Sequence, residues 1–292
     1  MPSLPNSCPH ELKHESPMMS DPYQPQPPPY ETLQLERDGP LDILTLNRPE
    51  SLNALSVRMQ LELQHYFGDL YRRLATRVVI LRGAGRAFCA GLDIKETDLS
   101  TDIGNPVTGL QLQQRVSEIM KLMRRCPQPI IALVNGAASG GGMALALASD
   151  VRIATPTARM NAAFIRLGVT ACDVGTSYFL PRMVGSSVAA ELMLTGRFID
   201  AARGERLGLF SAVVPPEQLD AEGRAMAEDM LRASPLGLRL TKDGLNANID
   251  AAGLDAAIAL EDRQQILCGQ TEDVAEAFNA FVQKRPPNYK DR

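Results

Sequence analysis

The sequence predicts an α/β fold that is followed by a helical C-terminal region. Two observations support this prediction. Up to about residue 215, short apolar runs typical of strands alternate with amphipathic runs typical of helices, and glycine-rich turns join them. Beyond that point the apolar periodicity is helical throughout.

The first predicted elements are a hairpin, a helix and a strand. Residues 31–37 and 41–47 have β-type composition and flank the turn Asp38-Gly39-Pro40. Ser56 is a suitable N-cap for the helix that follows. Residues 77–82 predict a fully buried strand. The predicted apolar face of the helix comprises Leu63, Phe67, Leu70, Tyr71 and Leu74.

A long loop containing several glycines leads from this strand to a second amphipathic helix, which ends at Cys126-Pro127. Residues 130–134 predict another apolar strand. A glycine-rich turn then opens into a helix of small residues at 143–148, and residues 151–154 predict a further strand. The apolar face of the second helix comprises Leu112, Val116, Ile119, Met120 and Met123.

The C-terminal region is predicted to consist of helices with breaks at Pro235, Gly253 and Gly269. Thr271 is a suitable cap for the last helix. An apolar stripe on this helix must pack either on the protein's own core or on a neighbouring subunit, and periodicity does not distinguish the two. The stripe comprises Val274, Ala277, Phe278, Phe281 and Val282.

These features divide the chain into three parts. Residues 1–30 are rich in proline and predict a disordered or polyproline leader, either a solvated tail or a ligand for a partner domain. Met18 and Met19 leave open whether residues 1–18 belong to the native protein. Residues 31–215 predict the α/β core, and residues 216–292 the helical element.

Composition excludes several classes of function. The net charge is only −4 and the basic residues are scattered, so we expect no nucleic-acid partner. Every apolar stretch is shorter than the ~18 residues that a membrane span needs, and no signal peptide is recognisable, so we expect no membrane partner. Five widely spaced cysteines and three histidines predict neither a disulfide framework nor a metal site. We therefore expect a protein of the reducing cytoplasm.

Two glycine-containing loops, residues 86–95 and 135–143, follow predicted buried strands. Glycine lets a backbone approach a ligand closely, and the second loop opens into a helix whose first N–H groups are unpaired. If the loops face each other, each offers one N–H to a single oxygen, which would form an oxyanion hole. The alternative is that the glycines serve only tight packing. A dinucleotide site is weakly supported, since Phe88 replaces the third glycine of GxGxxG.

The motifs in these loops, with others along the chain, resemble those of the crotonase superfamily, the enoyl-CoA hydratase/isomerase family, in their usual order. The resemblance extends from about residue 31 to the C-terminus. It implies a spiral of ββα units with C-terminal helices, assembled as a homotrimer or homohexamer. The matching segments are Leu46-Asn47-Arg48-Pro49, Leu52-Asn53-Ala54-Leu55, residues 87–95, residues 126–130, residues 134–142, Leu194-Thr195-Gly196, Gly208-Leu209 and residues 281–286.

The resemblance also implies roles for individual residues. The backbone N–H groups of Leu92 and Gly141 would form the oxyanion hole for a thioester carbonyl. The coenzyme A part of the substrate would lie along residues 93–95, and Phe281 and Lys284 would reach it near a subunit boundary. The residues expected to bind coenzyme A are thus Asp93, Ile94, Lys95, Phe281 and Lys284.

The chain departs from the family pattern where hydratases carry their two glutamates. Ala144 and Phe164 occupy those positions, and neither can transfer a proton. The paired-carboxylate addition of water therefore cannot operate in its usual form. Asp173 remains, in a segment where related branches place a catalytic aspartate. Alternatively, Asp173 caps the next helix. Tyr178 and Ser177 are secondary candidates.

The sequence thus predicts an acyl-CoA enzyme of the hydratase/isomerase type, in which Asp173 transfers a proton and backbone N–H groups stabilise a thioester enolate. One alternative is an acyl-CoA hydrolase or dehalogenase that uses Asp173 as a nucleophile. The other is a non-catalytic acyl-CoA-binding pseudoenzyme. No metal or redox cofactor is expected, and coenzyme A enters only as part of the substrate.

Overall fold

The computed structural model describes residues 29–96 and 105–292. The predictions for the leader therefore lie, apart from residues 29 and 30, outside the described residues. Within the described ranges, no helix is long and apolar enough to cross a membrane.

The N-terminal elements form the edge of a sheet and a helix that packs on it. Strands β1 (Leu33–Asp38) and β2 (Leu41–Leu46) pair as an antiparallel hairpin. Helix α1 spans Val57–Asp69, and the Ser56 side chain accepts a hydrogen bond from the Met59 N–H, so the predicted cap is confirmed. The predicted apolar face was too long: Tyr71 and Leu74 lie beyond the end of α1 and are exposed.

The larger sheet carries the buried strands of the core. Its order is β1-β2-β3-β5-β7-β10, and every pairing after the hairpin is parallel. Full burial was predicted for the strand at residues 77–82; the first four residues of β3 are buried and its last two are half-buried. The apolar strand predicted at residues 130–134 is β5, which is buried along its whole length. The strands after the hairpin are β3 (Val78–Gly83), β5 (Ile130–Val134), β7 (Val151–Ala154) and β10 (Ala212–Val213).

A second sheet, which the sequence analysis did not predict, lies next to the first, with the order β4-β6-β8-β9. Its strands contain only two or three residues each, too few for an alternating pattern. Three times the chain forms a strand of the first sheet, a strand of the second sheet and a helix, which confirms the expected ββα units. The strands are β4 (Ala87–Cys89), β6 (Ala137–Ser139), β8 (Arg159–Asn161) and β9 (Ile199–Asp200).

Helices cover these sheets on the side that carries the candidate site. Helix α3 is completely buried and contacts both α2 and α4, so its first residues lie inside the fold. These helices are α2 (Pro106–Arg125), α3 (Gly141–Ala148), α4 (Thr176–Val184), α5 (Ser186–Thr195) and α6 (Ala201–Arg206).

The last four helices differ in how they contact the core. They are α7 (Leu219–Leu231), α8 (Pro235–Asn248), α9 (Leu254–Gly269) and α10 (Glu272–Gln283). Helix α7 packs on the larger sheet through Leu219 and Ala227, so by its contacts it belongs with the core although it follows the boundary predicted at residue 216. Helix α8 is held on the core by Lys242, whose buried ammonium donates hydrogen bonds to the carbonyls of Met123 and Gln128.

Helices α9 and α10 leave apolar side chains uncovered. No residue of α9 is buried. On α10, Phe278, Phe281 and Val282 are exposed, so this part of the predicted stripe does not pack on the protein's own core. Thr271 occupies the N-cap position of α10, but its hydroxyl donates to the Cys268 carbonyl, so the predicted side-chain cap is wrong.

Candidate active site

The first glycine loop is fixed by one backbone bridge. The Leu55 N–H donates to the Gly91 carbonyl at 2.7 Å, and the Asp93 N–H donates to the Leu55 carbonyl at 3.2 Å. In this parallel bridge the partner of Leu55 is Leu92, whose own N–H therefore points away from Leu55. Among the described residues, no backbone carbonyl accepts from the Leu92 N–H.

The second glycine loop ends at the N-terminus of α3. Gly141 is the first residue of this helix, so its N–H has no acceptor within the helix. The next residue, Gly142, lies against β4: a methyl group there would come within 2.1 Å of the Cys89 carbonyl oxygen. Only glycine fits at that point, so close packing explains the presence of Gly142. This packing does not involve the N–H of Gly141, which remains available.

The two loops approach each other closely enough to act together. A methyl group on Gly91 would lie 3.4 Å from the Gly141 nitrogen, and one on Gly141 would lie 3.9 Å from the Leu92 nitrogen. Two unpaired N–H groups, one at the positive end of a helix dipole, thus border one small volume. This geometry suits stabilisation of a developing negative charge on a single oxygen.

The positions of the two missing glutamates are apolar in three dimensions as well. Ala144 lies on α3 and is completely buried. Phe164 is half-buried, and its ring lies beside the second glycine loop: a methyl group on Gly140 would be 3.4 Å from its Cε1 atom. Neither side chain can bind a water molecule or transfer a proton.

Asp173 lies in the loop before α4 and is half-buried. Its Oδ1 accepts a hydrogen bond from Gln113 Nε2 of α2. Burial raises the pKa of Asp173 above its ordinary value, and the Gln113 amide and the adjacent Val174 N–H offset part of that rise. The N-cap of α4 is Gly175, and the Asp173 side chain bonds to no N–H of that helix, so the capping alternative is wrong.

The helices on either side of Asp173 contact the helix that begins at Gly141. Helix α3 packs against both α2, which carries Gln113, and α4, which Asp173 precedes. Ala171 and Val174, close to Asp173 in the chain, are buried in the main apolar core, which also contains Met143 and Ala144. The elements that carry the candidate base and the Gly141 N–H are therefore neighbours in the fold.

Three other side chains with reactive groups, Cys89, Tyr178 and Ser177, are less suited to the chemistry. Burial raises the pKa of the Cys89 thiol to about 12, so it is not a thiolate at neutral pH. The Tyr178 hydroxyl donates to Asp250, and this hydrogen bond raises the pKa of Tyr178. The Arg182 guanidinium stacks 3.8 Å from the centre of the Tyr178 ring. Ser177 is exposed on α4.

The residues expected to bind coenzyme A lie in two places. Ile94 and Lys95 are exposed at the end of the first glycine loop, whereas Asp93 is buried and pairs with Arg48 at 2.8 Å. Burial alone would raise the pKa of Asp93, but hydrogen bonds from Arg48 and the Lys95 N–H lower it overall. The Asp93 side chain thus stabilises the conformation of the first glycine loop. Phe281 and Lys284 are exposed at the end of α10.

Sequence reasoning missed the roles of Gln113 and Arg48. Gln113 lies 60 residues before Asp173, and Arg48 lies 45 residues before Asp93. Arg48 lies within the matching segment Leu46-Asn47-Arg48-Pro49, but no spacing rule indicates its partner. For Gln113 the sequence did contain a signal. This polar residue stands three residues before Val116 and seven before Met120, at a spacing typical of the apolar face of α2.

The family model for enoyl-CoA hydratase/isomerase matches residues 37–292. EchA12 of Mycobacterium tuberculosis, named as a probable enoyl-CoA hydratase, is 40% identical over 252 residues, which cover 85% of this chain and 88% of that protein. The 1,2-epoxyphenylacetyl-CoA isomerase of Escherichia coli is 33% identical, over 84% of this chain and 93% of the isomerase. The crystal structure of an enoyl-CoA hydratase from Bacillus anthracis superposes with a TM-score of 0.85 at 32% identity, covering 90% of this chain and 100% of that one.

Proposed function

The chain belongs to the enoyl-CoA hydratase/isomerase family, and we propose that it is an acyl-CoA isomerase with one catalytic carboxylate. The observation that carries this proposal is the combination of Asp173 with Ala144 and Phe164. Asp173 is half-buried in the loop before α4, which packs against the helix that begins at Gly141, whereas both other positions are apolar. Hydration of a double bond needs groups that bind and activate water, but an isomerase can move one proton with one base.

In this mechanism the thioester oxygen binds between the N–H groups of Leu92 and Gly141. Asp173 removes a proton from a carbon of the acyl chain, and the electron pair moves through the conjugated system onto the thioester oxygen. Asp173 then returns the proton to a different carbon, so no atom is gained or lost. The raised pKa of Asp173 favours this role, because it brings the base closer to neutral pH.

The names of the relatives support a reaction on an acyl-CoA substrate. One relative is named as an isomerase of an epoxyphenylacetyl-CoA and another as a probable hydratase. Ile94 and Lys95, exposed beside the first loop, are available for the coenzyme A part of the substrate, as are Phe281 and Lys284 of α10. The proton transfer requires no metal or redox cofactor.

Mass spectrometry of products distinguishes the candidate reactions. A 3-enoyl-CoA and crotonyl-CoA, a 2-enoyl-CoA, are incubated with the protein in ordinary water and in D₂O. Isomerisation leaves the mass unchanged in water and gives a product that liquid chromatography separates from the substrate; in D₂O it incorporates deuterium to the extent that the protonated Asp173 exchanges with solvent before it returns the proton. Hydration adds one water, and hydrolysis releases free coenzyme A. We expect isomerisation, with crotonyl-CoA hydration slower by about 10²–10⁴-fold than in a hydratase with both carboxylates.

The Asp173→Asn variant tests the assigned base, with Asp220→Asn, a substitution of an exposed aspartate on α7, as the matched control. Rapid hydration, or hydrolysis that depends on Asp173, would refute isomerisation. Tight binding of acyl-CoA without turnover or deuterium exchange would instead identify a pseudoenzyme.

We further propose that the protein assembles as a homotrimer or homohexamer through α9 and α10. The uncovered apolar residues of these helices support this assembly, because exposed side chains such as Phe278 and Ile266 gain stability only against another surface. We place the protein in the reducing cytoplasm. The four cysteines in the described residues are free, which agrees with that environment.

A further inference from the structure

Helix α2 brings Gln113 to Asp173. Val116, Ile119, Met120 and Met123 fix this helix on the core. Gln113 lies three residues before Val116 and seven before Met120, one turn before the buried part of the helix, and it is exposed. Its side chain donates to the Asp173 carboxylate.

The backbone that follows Asp173 is held in an unusual conformation. Val174 has a φ of 41° and Gly175 a φ of 87°, so two consecutive residues are left-handed. A β-branched residue rarely adopts this conformation, which is costly and persists only where the surroundings enforce it. Val174 is buried, and the Thr176 N–H donates to the backbone carbonyl of Asp173 at 2.8 Å. The turn therefore fixes the backbone of Asp173, and Gln113 holds its carboxylate.

Within residues 29–96 and 105–292, no cationic side chain forms an ion pair with Asp173. The groups that favour its ionised form there are the Gln113 amide and the Val174 N–H. A neutral donor can orient a carboxylate while neutralising it less than an arginine would, which leaves the carboxylate basic.

We propose that Gln113 is a positioning residue that holds Oδ1 of Asp173, so that the other carboxylate oxygen faces the substrate proton. The inference rests on the proposed isomerase function. It assigns to α2 a part in the chemistry, because the orientation and basicity of Asp173 then depend on a residue 60 positions away in the sequence.

The test uses three variants of the full chain. Gln113→Met keeps the length of the side chain but removes the donor, and Gln113→Glu replaces the donor with a second carboxylate. Gln114→Met changes the adjacent exposed glutamine, which lies off the buried line of α2, and serves as the matched control. Thermal melting verifies that each variant is folded.

The first measurement is a ¹³C titration of the aspartate carboxyl groups, with the Asp173 signal identified by its absence in Asp173→Asn. We expect Gln113→Met to raise the pKa of Asp173 by about one unit, since a hydrogen bond to a charged group is lost. Gln113→Glu should raise it further through like-charge repulsion. Gln114→Met should leave it unchanged. An unchanged Asp173 titration in both Gln113 variants would overturn the proposal.

The second measurement is the pH dependence of turnover. In Gln113→Met we expect kcat to fall about tenfold with little change in KM. The acidic limb of the pH profile of turnover should move to higher pH together with the measured pKa of Asp173. A change of KM alone would also overturn the positioning role. If the parent protein turns over no acyl-CoA, the isomerase proposal fails, but the titration still decides whether Gln113 holds Asp173.

Discussion

Replacing Gly141 by proline tests the oxyanion assignment directly. Gly141 is the first residue of α3, a position where proline is well tolerated because its missing N–H has no helical acceptor. The residue before it, Gly140, has no Cβ that could collide with the proline ring. The substitution therefore removes one donor from the proposed hole while a helix can still begin there.

The expected magnitude follows from what the substitution adds and removes. A new Cβ at this position would come within 2.9 Å of Leu55 Cδ1, so Leu55 must move slightly. Gly141→Ala adds the same Cβ but keeps the N–H, and it is the matched control. Loss of one oxyanion-hole donor typically reduces turnover by about 10²–10³-fold. We expect Gly141→Pro to lose at least this much relative to Gly141→Ala, because the ring also occupies the place of the lost hydrogen.

The assay measures two quantities for Gly141→Pro and Gly141→Ala. One is kcat/KM on the acyl-CoA that the protein isomerises, and the other is the affinity for free coenzyme A, which has no acyl carbonyl. Coenzyme A should bind both variants alike, and both should show cooperative melting. If folded Gly141→Pro retains activity within tenfold of Gly141→Ala, the N–H of Gly141 does not stabilise the transition state and the mechanism must be abandoned.

Three further predictions concern the base, the stability and the assembly. In the pH profile of kcat/KM, the acidic limb should lie at higher pH than an ordinary aspartate would give, because the pKa of Asp173 is raised and only the ionised form accepts a proton. In Asp173→Asn, turnover should fall by about 10²-fold or more, and this limb should vanish. Lys242→Met should lower the free energy of unfolding by about 2–4 kcal/mol in urea titrations at fixed protein concentration. Two buried carbonyls lose their donor, and Asp150 loses its ion pair with Lys242 at 3.0 Å but keeps the one with Arg124 at 2.9 Å. An unchanged unfolding midpoint would show that α8 is held by other contacts. Light scattering should give the mass of a trimer or hexamer, and a stable monomer at micromolar concentration would contradict assembly through α9 and α10.

The sequence alone determined most of the large elements, because their periodicity is local. Buried strands such as β5 and amphipathic helices such as α2 followed from the spacing of apolar residues. The absence of glutamate at Ala144 and Phe164, and the presence of Asp173, could also be recognised by comparison with the family motifs. The helix that ends at Asp69 was predicted too long, since apolar residues continue past the point where its hydrogen bonds stop.

Only the tertiary structure decided what the candidate site residues contact. The second sheet consists of strands too short for a pattern, and pairing with neighbouring strands is what forms them. The bridge between Leu55 and Leu92 sets the direction of the Leu92 N–H, and α2 brings Gln113 to Asp173. These contacts join residues tens of positions apart. Their geometry depends on how whole elements pack, and local composition does not specify that packing.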